Sequence, residues 1–151
     1  AAHHEVHLAH RREHGVDVRT FGRGWPGSEW VEDMNEVFNH SRINLGFGGI
    51  GYSESLTNVK ARDFDVPGAG GGIYITSFNP DLALHYDIGG EIVCYRNREE
   101  MLELIRYYLA HTDEADEMAR RARARCLGEH RWLHRYRSVL SVLGIFDGVA
   151  Q

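Results

Sequence analysis

Short apolar runs alternate with amphipathic segments along this 151-residue chain, and this alternation constrains the fold more than any other feature. The runs with the length of strands are residues 16–21, 43–47, 72–76 and 91–95. Segments with helical spacing of their apolar residues separate them. No hairpin turn signal joins neighbouring runs, so we predict parallel strands joined by crossover helices. The predicted class is α/β, a Rossmann-like parallel sheet with helices on both faces.

Two of the predicted helices carry recognisable start signals. Asn79 followed by Pro80 is typical of an N-cap and first-turn pair. Asn97 with Glu100 three positions later resembles a capping box. A further segment, from Glu54 to about Val66, has mixed polarity and is predicted to be helical until the proline- and glycine-rich residues 67–71 end it.

Composition narrows the class of protein. The net charge of −5 argues against general nucleic-acid binding. No apolar run approaches the ~20 residues that a membrane helix requires, so no transmembrane segment is expected. The two cysteines, Cys94 and Cys126, are too few for a disulfide scaffold and lack metal-ligand spacing. We therefore expect no metal site, and a cytoplasmic location fits this composition.

Three glycine-rich segments are expected at the carboxyl ends of the strands, where open parallel sheets bind their ligands. They are residues 22–27, 48–53 and 68–72. Glycine lets a ligand approach the backbone closely. The segment 48–53 leads into the helix predicted from Glu54, whose free amide groups would attract a phosphate. The alternative is that these glycines only form tight turns, since a glycine-rich loop alone is a weak motif.

Lys60 is the only lysine of the chain, and Arg62 follows it two positions later. Both cations could neutralise a diphosphate. Thr57 would share a helical face with Lys60, and the Asp65 carboxylate could accept hydrogen bonds from ribose hydroxyls. The alternative is a surface pair of Arg62 with Asp65, which would contribute less than about 1 kcal/mol.

Several segments match one known family in order and spacing. They are residues 16–18, 21–25, 38–45, 60–71, 79–80 and 105–109. On these segments the chain resembles the CgeB-like, or spore-protein-like, group of glycosyltransferases, over about residues 13 to 140. The C-terminal domain of these glycosyltransferases is of the "glycosyl transferases group 1" type.

The resemblance implies the C-terminal half of a GT-B fold, truncated at its N-terminus. Residues 1–130 would form a nucleotide-sugar-binding domain whose first strand is missing, and residues 131–151 a crossover helix and tail. A missing N-terminal domain would bind the acceptor. The implied activity is transfer of a sugar, of the hexosyltransferase type, from a nucleotide diphosphate sugar that serves as donor substrate, with no cofactor. The alternative is a non-catalytic nucleotide-binding or regulatory α/β module.

The resemblance also implies roles for single residues. Lys60 and Arg62 would contact the diphosphate. Asp65 stands where related retaining enzymes carry the second acid of an E-x7-E element, although Thr57 replaces the first acid. Gly22, Arg23 and Trp25 would lie near the nucleobase. The full expected set is catalytic Lys60, Arg62 and Asp65, with donor-binding Gly22, Arg23, Trp25, Gly49, Ser53, Thr57 and Gly70.

Overall fold

The structure, a computed structural model, describes residues 17–21, 28, 30–50 and 53–145, without the side chains of residues 53–55. The chain divides into two units, residues 1–36 and 37–151. In the first unit, residues 17–20 have no regular secondary structure and Phe21 forms only an isolated bridge. The strand predicted over residues 16–21 is therefore absent from the residues described there.

The regular elements are a mixture of helices and short strands. They are α1 (Met34–His40), β1 (Ile43–Leu45), β2 (Gly49–Ile50), β3 (Ser53–Thr57), α2 (Arg62–Ala69), β4 (Ile73–Ser77), a 3₁₀ helix (Pro80–Leu84), β5 (Val93–Tyr95), α3 (Arg98–Ala110), α4 (Thr112–Glu129) and α5 (Trp132–Val142).

Three of the strands form a parallel sheet in the order β1-β4-β5. Ile75 of the central strand lies opposite Leu45 on one side and Val93 on the other. Strand β4 is buried along most of its length, as expected for a central parallel strand covered by helices. The predicted Rossmann-like α/β class is thus confirmed.

The core lies on both faces of this sheet. Tyr74 and Cys94 pack in one cluster with Val66 of α2 and Ala122 of α4. Because side chains alternate along a strand, Ile73 and Ile75 point to the opposite face, and both are fully buried. Helix α3 contacts all three strands of the sheet. Cys94 is a small buried residue of this core.

The segment after β1 contradicts the sequence prediction. Strands β2 and β3 pair antiparallel, with Gly49 opposite Thr57, so a hairpin stands where a helix from Glu54 was predicted. The Asn58 amide donates to the Gly48 carbonyl and extends the pairing. The residue types of the segment 53–57 are compatible with a short strand as well as with a helix, and cross-strand hydrogen bonds decide between the two.

Helix α2 starts at Arg62 and continues through Pro67, which we expected to end it. A proline in a helix leaves the carbonyl four residues earlier without its amide donor. That carbonyl belongs to Asp63, and the hydroxyl of Tyr86 donates to it at 2.8 Å. The helix ends at Ala69, within the residues 67–71 that were expected to end it, and the following Gly70 adopts a left-handed φ of 81°.

The predicted helix starts at residues 79 and 97 are confirmed. Oδ1 of Asn79 accepts from the Asp81 amide at 2.9 Å, and Oδ1 of Asn97 accepts from the Glu100 amide at 2.8 Å. The carboxylate of Glu100 accepts from the Arg96 amide instead of the Asn97 amide that a capping box would use.

Helix α5 exposes an apolar face. Trp132, Tyr136 and Val139 lie on it at helical spacing, Leu143 follows directly after the helix, and none of these residues is buried. The guanidinium of Arg135 lies 4.8 Å from the ring centre of Phe64 and joins α5 to α2. Among the described residues, no helix is both long enough and apolar enough to span a bilayer.

Candidate functional site

The carboxyl ends of the three parallel strands meet at one edge of the sheet. There the amide of Gly46, just after β1, donates to the Ile75 carbonyl. The hydroxyl of Tyr95, at the end of β5, donates to the Gly46 carbonyl at 2.8 Å. The Gly48 amide donates to the hydroxyl of Ser77, at the end of β4, at 2.7 Å. We call this region the carboxyl edge, and these bonds hold its segments in fixed positions.

Two arginines at the carboxyl edge lie over phenylalanine rings. The Arg62 guanidinium lies 4.6 Å from the ring centre of Phe47, which follows β1. The Arg96 guanidinium lies 4.4 Å from the ring centre of Phe78, which follows β4. A flat cation over a ring face is attracted by the ring's quadrupole and loses mobility. Each arginine is therefore held near a strand end by its contact with the ring.

The cations differ in their acidic neighbours. Arg96 lies 3.8 Å from the carboxylate of Glu100. Within the described parts of the chain, neither Lys60 nor Arg62 forms an ion pair. No carboxylate of those residues lies within ion-pair distance of either cation, and an anion at this edge would be attracted to both.

The first amides of α2 also lie here. The amides of Asp63, Phe64 and Asp65 donate to the carbonyls of Lys60 and Ala61. The amides of Ala61 and Arg62 donate to no described residue. We predicted such amides at a helix beginning near Glu54; the structure places them about seven residues later, at a helix that follows a hairpin instead of a loop. Free amides at a helix start favour a bound anion.

The hairpin brings three expected site residues to this region. Thr57 packs beside Gly48, and Gly49 pairs with Thr57 at the hairpin base. Ser53 lies in β3, where its backbone pairs with Ile50. Because Thr57 belongs to a strand, our expectation that it shares a helical face with Lys60 is wrong.

Gly70 lies elsewhere. Helix α2 runs from the carboxyl edge, where Arg62 lies over Phe47, to the amino ends of the strands, where Gly70 precedes β4. Added to Gly70, a Cβ would meet the Arg123 side chain of α4. The expectation that residues 68–72 lie at the carboxyl edge is therefore wrong. The reason is that this turn enters a strand and does not leave one.

Of the remaining expected site residues, the structure describes only Asp65. Asp65 is exposed in the first turns of α2, three positions after Arg62. Gly22, Arg23 and Trp25 lie outside the described residues.

Sequence reasoning missed two buried polar residues at this edge. Asp63 is 2% exposed, and its carboxylate accepts from the Lys60 amide and the Tyr74 hydroxyl. Asn79 is 3% exposed, and its Nδ2 atom has no hydrogen-bond partner among the described residues. The bond from the Lys60 amide to an acid three positions later resembles one half of a capping box, but Lys60 precedes the N-cap Ala61 and is not a capping residue type, so no specific sequence signal marked Asp63. Asn79 was recognised only as a helix cap.

A second cluster of titratable groups lies where α2, the 3₁₀ helix and α4 meet. The rings of His85 and His130 each lie 5.2 Å from Phe64, and 5.4 Å from each other. Partial burial lowers the pKa of His85, and the nearby charges of Arg135 and His130 lower it further, against a weaker opposing effect of Asp81.

This lowered pKa predicts a pH dependence of stability. Between the folded and unfolded pKa values the unfolded chain binds more protons than the folded protein, so stability falls as pH drops below about 6.5. We expect the free energy of unfolding to decrease from pH 7 to 5.5, and to decrease less in His85→Gln. Urea unfolding at both pH values measures this. Equal decreases in the two proteins would contradict it.

Comparison with known proteins adds one finding. A family model described as "Glycosyl transferase-like" matches residues 4–141 of the chain. No curated protein and no solved structure matches this chain.

Proposed function

The chain belongs to the glycosyl transferase-like family, and from this premise we propose that it binds the donor of a sugar transfer, a nucleotide diphosphate sugar, at the carboxyl edge. The observation that carries the proposal is the pair Lys60 and Arg62, which lie beside free helix amides without an ion pair to any described residue. In this proposal residues 1–130 are the donor-binding domain, and the enzyme is of the CgeB-like, GT-B type.

The proposed mechanism is electrostatic. When a glycosyl bond breaks, positive charge develops on the sugar and negative charge on the departing diphosphate. Lys60, Arg62 and the amides of Ala61 and Arg62 would stabilise that negative charge. Donors that are already in place cost little reorganisation when the bond breaks, so they lower the barrier more than water does.

Other residues would hold the rest of the donor. Asp65 is exposed near Arg62, and in this proposal its carboxylate accepts hydrogen bonds from ribose or sugar hydroxyls. The hairpin residues Gly49, Ser53 and Thr57 would border the diphosphate. Gly22, Arg23 and Trp25 are proposed to lie near the nucleobase. Gly70 has no part in the proposal, because it lies at the other edge of the sheet.

Residues 131–151 are proposed to contact a second, acceptor-binding domain. Helix α5 supports this with its exposed apolar face, including Trp132 at 73% exposure. A helix whose apolar side chains are left open to water is typical of a surface that another domain covers. The transferred sugar would meet its acceptor between the two domains.

Calorimetric titration of the 151-residue chain with UDP, GDP, ADP and TDP tests the donor site. We expect saturable binding of at least one diphosphate. The affinity for the matching monophosphate should be lower by roughly tenfold or more, because the monophosphate lacks the second charged group that the cations would contact. Binding without sugar transfer by the full enzyme would favour the non-catalytic module. No binding of any diphosphate would contradict the proposed function.

A further inference from the structure

We infer that Asp63 is a positioning residue of the carboxyl edge, whose buried carboxylate fixes the backbone of Lys60 and thereby the place from which the lysine reaches a bound diphosphate. This inference rests on the proposed donor site. It concerns a residue that contacts no ligand itself.

Both carboxylate oxygens of Asp63 have protein partners. Oδ2 accepts from the Lys60 amide at 2.6 Å, and Oδ1 accepts from the Tyr74 hydroxyl at 2.6 Å. The side chain is almost completely buried. A carboxylate in this state cannot also bind a sugar hydroxyl, so its contribution to the site has to pass through its partners.

The same residue is held through its backbone as well. The Tyr86 hydroxyl donates to the Asp63 carbonyl at 2.8 Å, and the Asp63 amide donates to the Lys60 carbonyl at 3.0 Å. Tyr74 belongs to β4, and Tyr86 follows the 3₁₀ helix. Bonds from distant parts of the chain thus converge on one residue and tie the start of α2 to the centre of the sheet.

Because Asp63 is buried, the energy of its carboxylate depends strongly on the position of the Lys60 amide. An ionised carboxylate away from water is strongly destabilising unless hydrogen bonds satisfy it. The Lys60 amide is one of its two donors, so any shift of Lys60 away from Asp63 would leave the charge partly unsatisfied. The backbone of Lys60 is therefore held in one conformation, which lowers the cost of ordering its side chain when an anion binds.

A double-mutant cycle tests the inference. The variants are Lys60→Ala, Asp63→Ala and the double variant, titrated with whichever of UDP, GDP, ADP and TDP the wild type binds most tightly. If Asp63 acts through Lys60, Asp63→Ala weakens binding roughly tenfold in the wild type and less than about twofold when Lys60 is already alanine. Equal factors in both backgrounds would overturn the inference, since they would show an effect independent of the lysine.

Two further variants distinguish the effect of Asp63 on the position of Lys60 from the effects of its charge and of the stability of the protein. Asp63→Asn retains an oxygen that can accept from the Lys60 amide, while its NH₂ group can donate to the Tyr74 hydroxyl; its affinity is expected within about threefold of wild type. Tyr74→Phe removes the other donor and leaves the Lys60 bond; it is expected to lower the urea midpoint while keeping the affinity within about twofold.

These variants also test the positioning role of Asp63 if Asp63→Ala does not fold. A loss of affinity in Asp63→Asn as large as that in Lys60→Ala would overturn the inference, because the Lys60 bond remains possible there. Retained affinity, with the Lys60 amide still protected from hydrogen exchange, would support it. Failure of the donor site itself has a different result, the absence of diphosphate binding by the wild type.

Discussion

Replacing both Lys60 and Arg62 with alanine in one variant is expected to weaken nucleoside diphosphate binding by roughly a hundredfold or more, since a hydrogen bond to a charged group contributes about 1.5–3 kcal/mol. Each single variant should lose about tenfold or more on the same estimate. Calorimetric titration of the folded variants measures both losses.

The control is an arginine at the opposite edge of the sheet. Arg123→Ala removes a guanidinium beside Gly70 and should leave the affinity within about twofold of wild type. Equal losses in Arg123→Ala and Arg62→Ala would show that only the net charge matters, and the donor site would then have to lie elsewhere.

The same substitutions should affect catalysis more than folding. In the proposed mechanism Lys60 stabilises charge that grows as the glycosyl bond breaks, so Lys60→Ala is expected to slow transfer by the full enzyme by roughly a hundredfold. Lys60 is half-buried and forms no ion pair with a described residue, so its removal should change the free energy of unfolding by less than about 1 kcal/mol. Equal transfer rates in variant and wild type would defeat the mechanism.

Gly72→Ala is expected to destabilise the fold by about 3 kcal/mol or more, because a Cβ there would overlap backbone atoms that cannot move independently. The added carbon would lie 2.1 Å from the carbonyl oxygens of Ser41 and Arg42. The latter carbonyl accepts from the Ile73 amide where β1 and β4 begin. Relief of the overlap would therefore shift two paired strands.

Gly128→Ala is the matched control for this substitution. Gly128 is an exposed position within α4, and a Cβ there would meet nothing within 4 Å. Alanine is favoured over glycine by up to about 1 kcal/mol in a helix, and by less in the last turn where Gly128 lies, so this variant should be at least as stable as wild type. Urea midpoints measure both variants. A Gly72→Ala protein as stable as wild type would contradict the close approach seen at the start of the sheet.

Local chemistry made part of the fold predictable. The runs around residues 43–47, 72–76 and 91–95 are strands or contain them, because continuous apolar sequence fits a strand buried on both faces. The asparagines at positions 79 and 97 cap helices because their short side chains reach the first free amides. These features depend on residues close together in sequence.

Other features depended on contacts that no local pattern contains. Residues 53–57 form a strand because Gly49 pairs with Thr57, and α2 continues through Pro67 because Tyr86 satisfies the carbonyl that the proline leaves free. The candidate site shows the same division. Lys60 and Arg62 were recognised from their charge, whereas Gly70 was assigned to the wrong edge because its turn enters a strand.

The sequence by itself determined the α/β class, the central parallel strands and the cationic pair, since hydrophobic periodicity and charge belong to each short segment. Only the tertiary structure decided which turns share an edge of the sheet and which carboxylate holds Lys60. The physical reason is that hydrogen bonds between distant residues, such as that of Tyr74 with Asp63, form only after the sheet has brought them together.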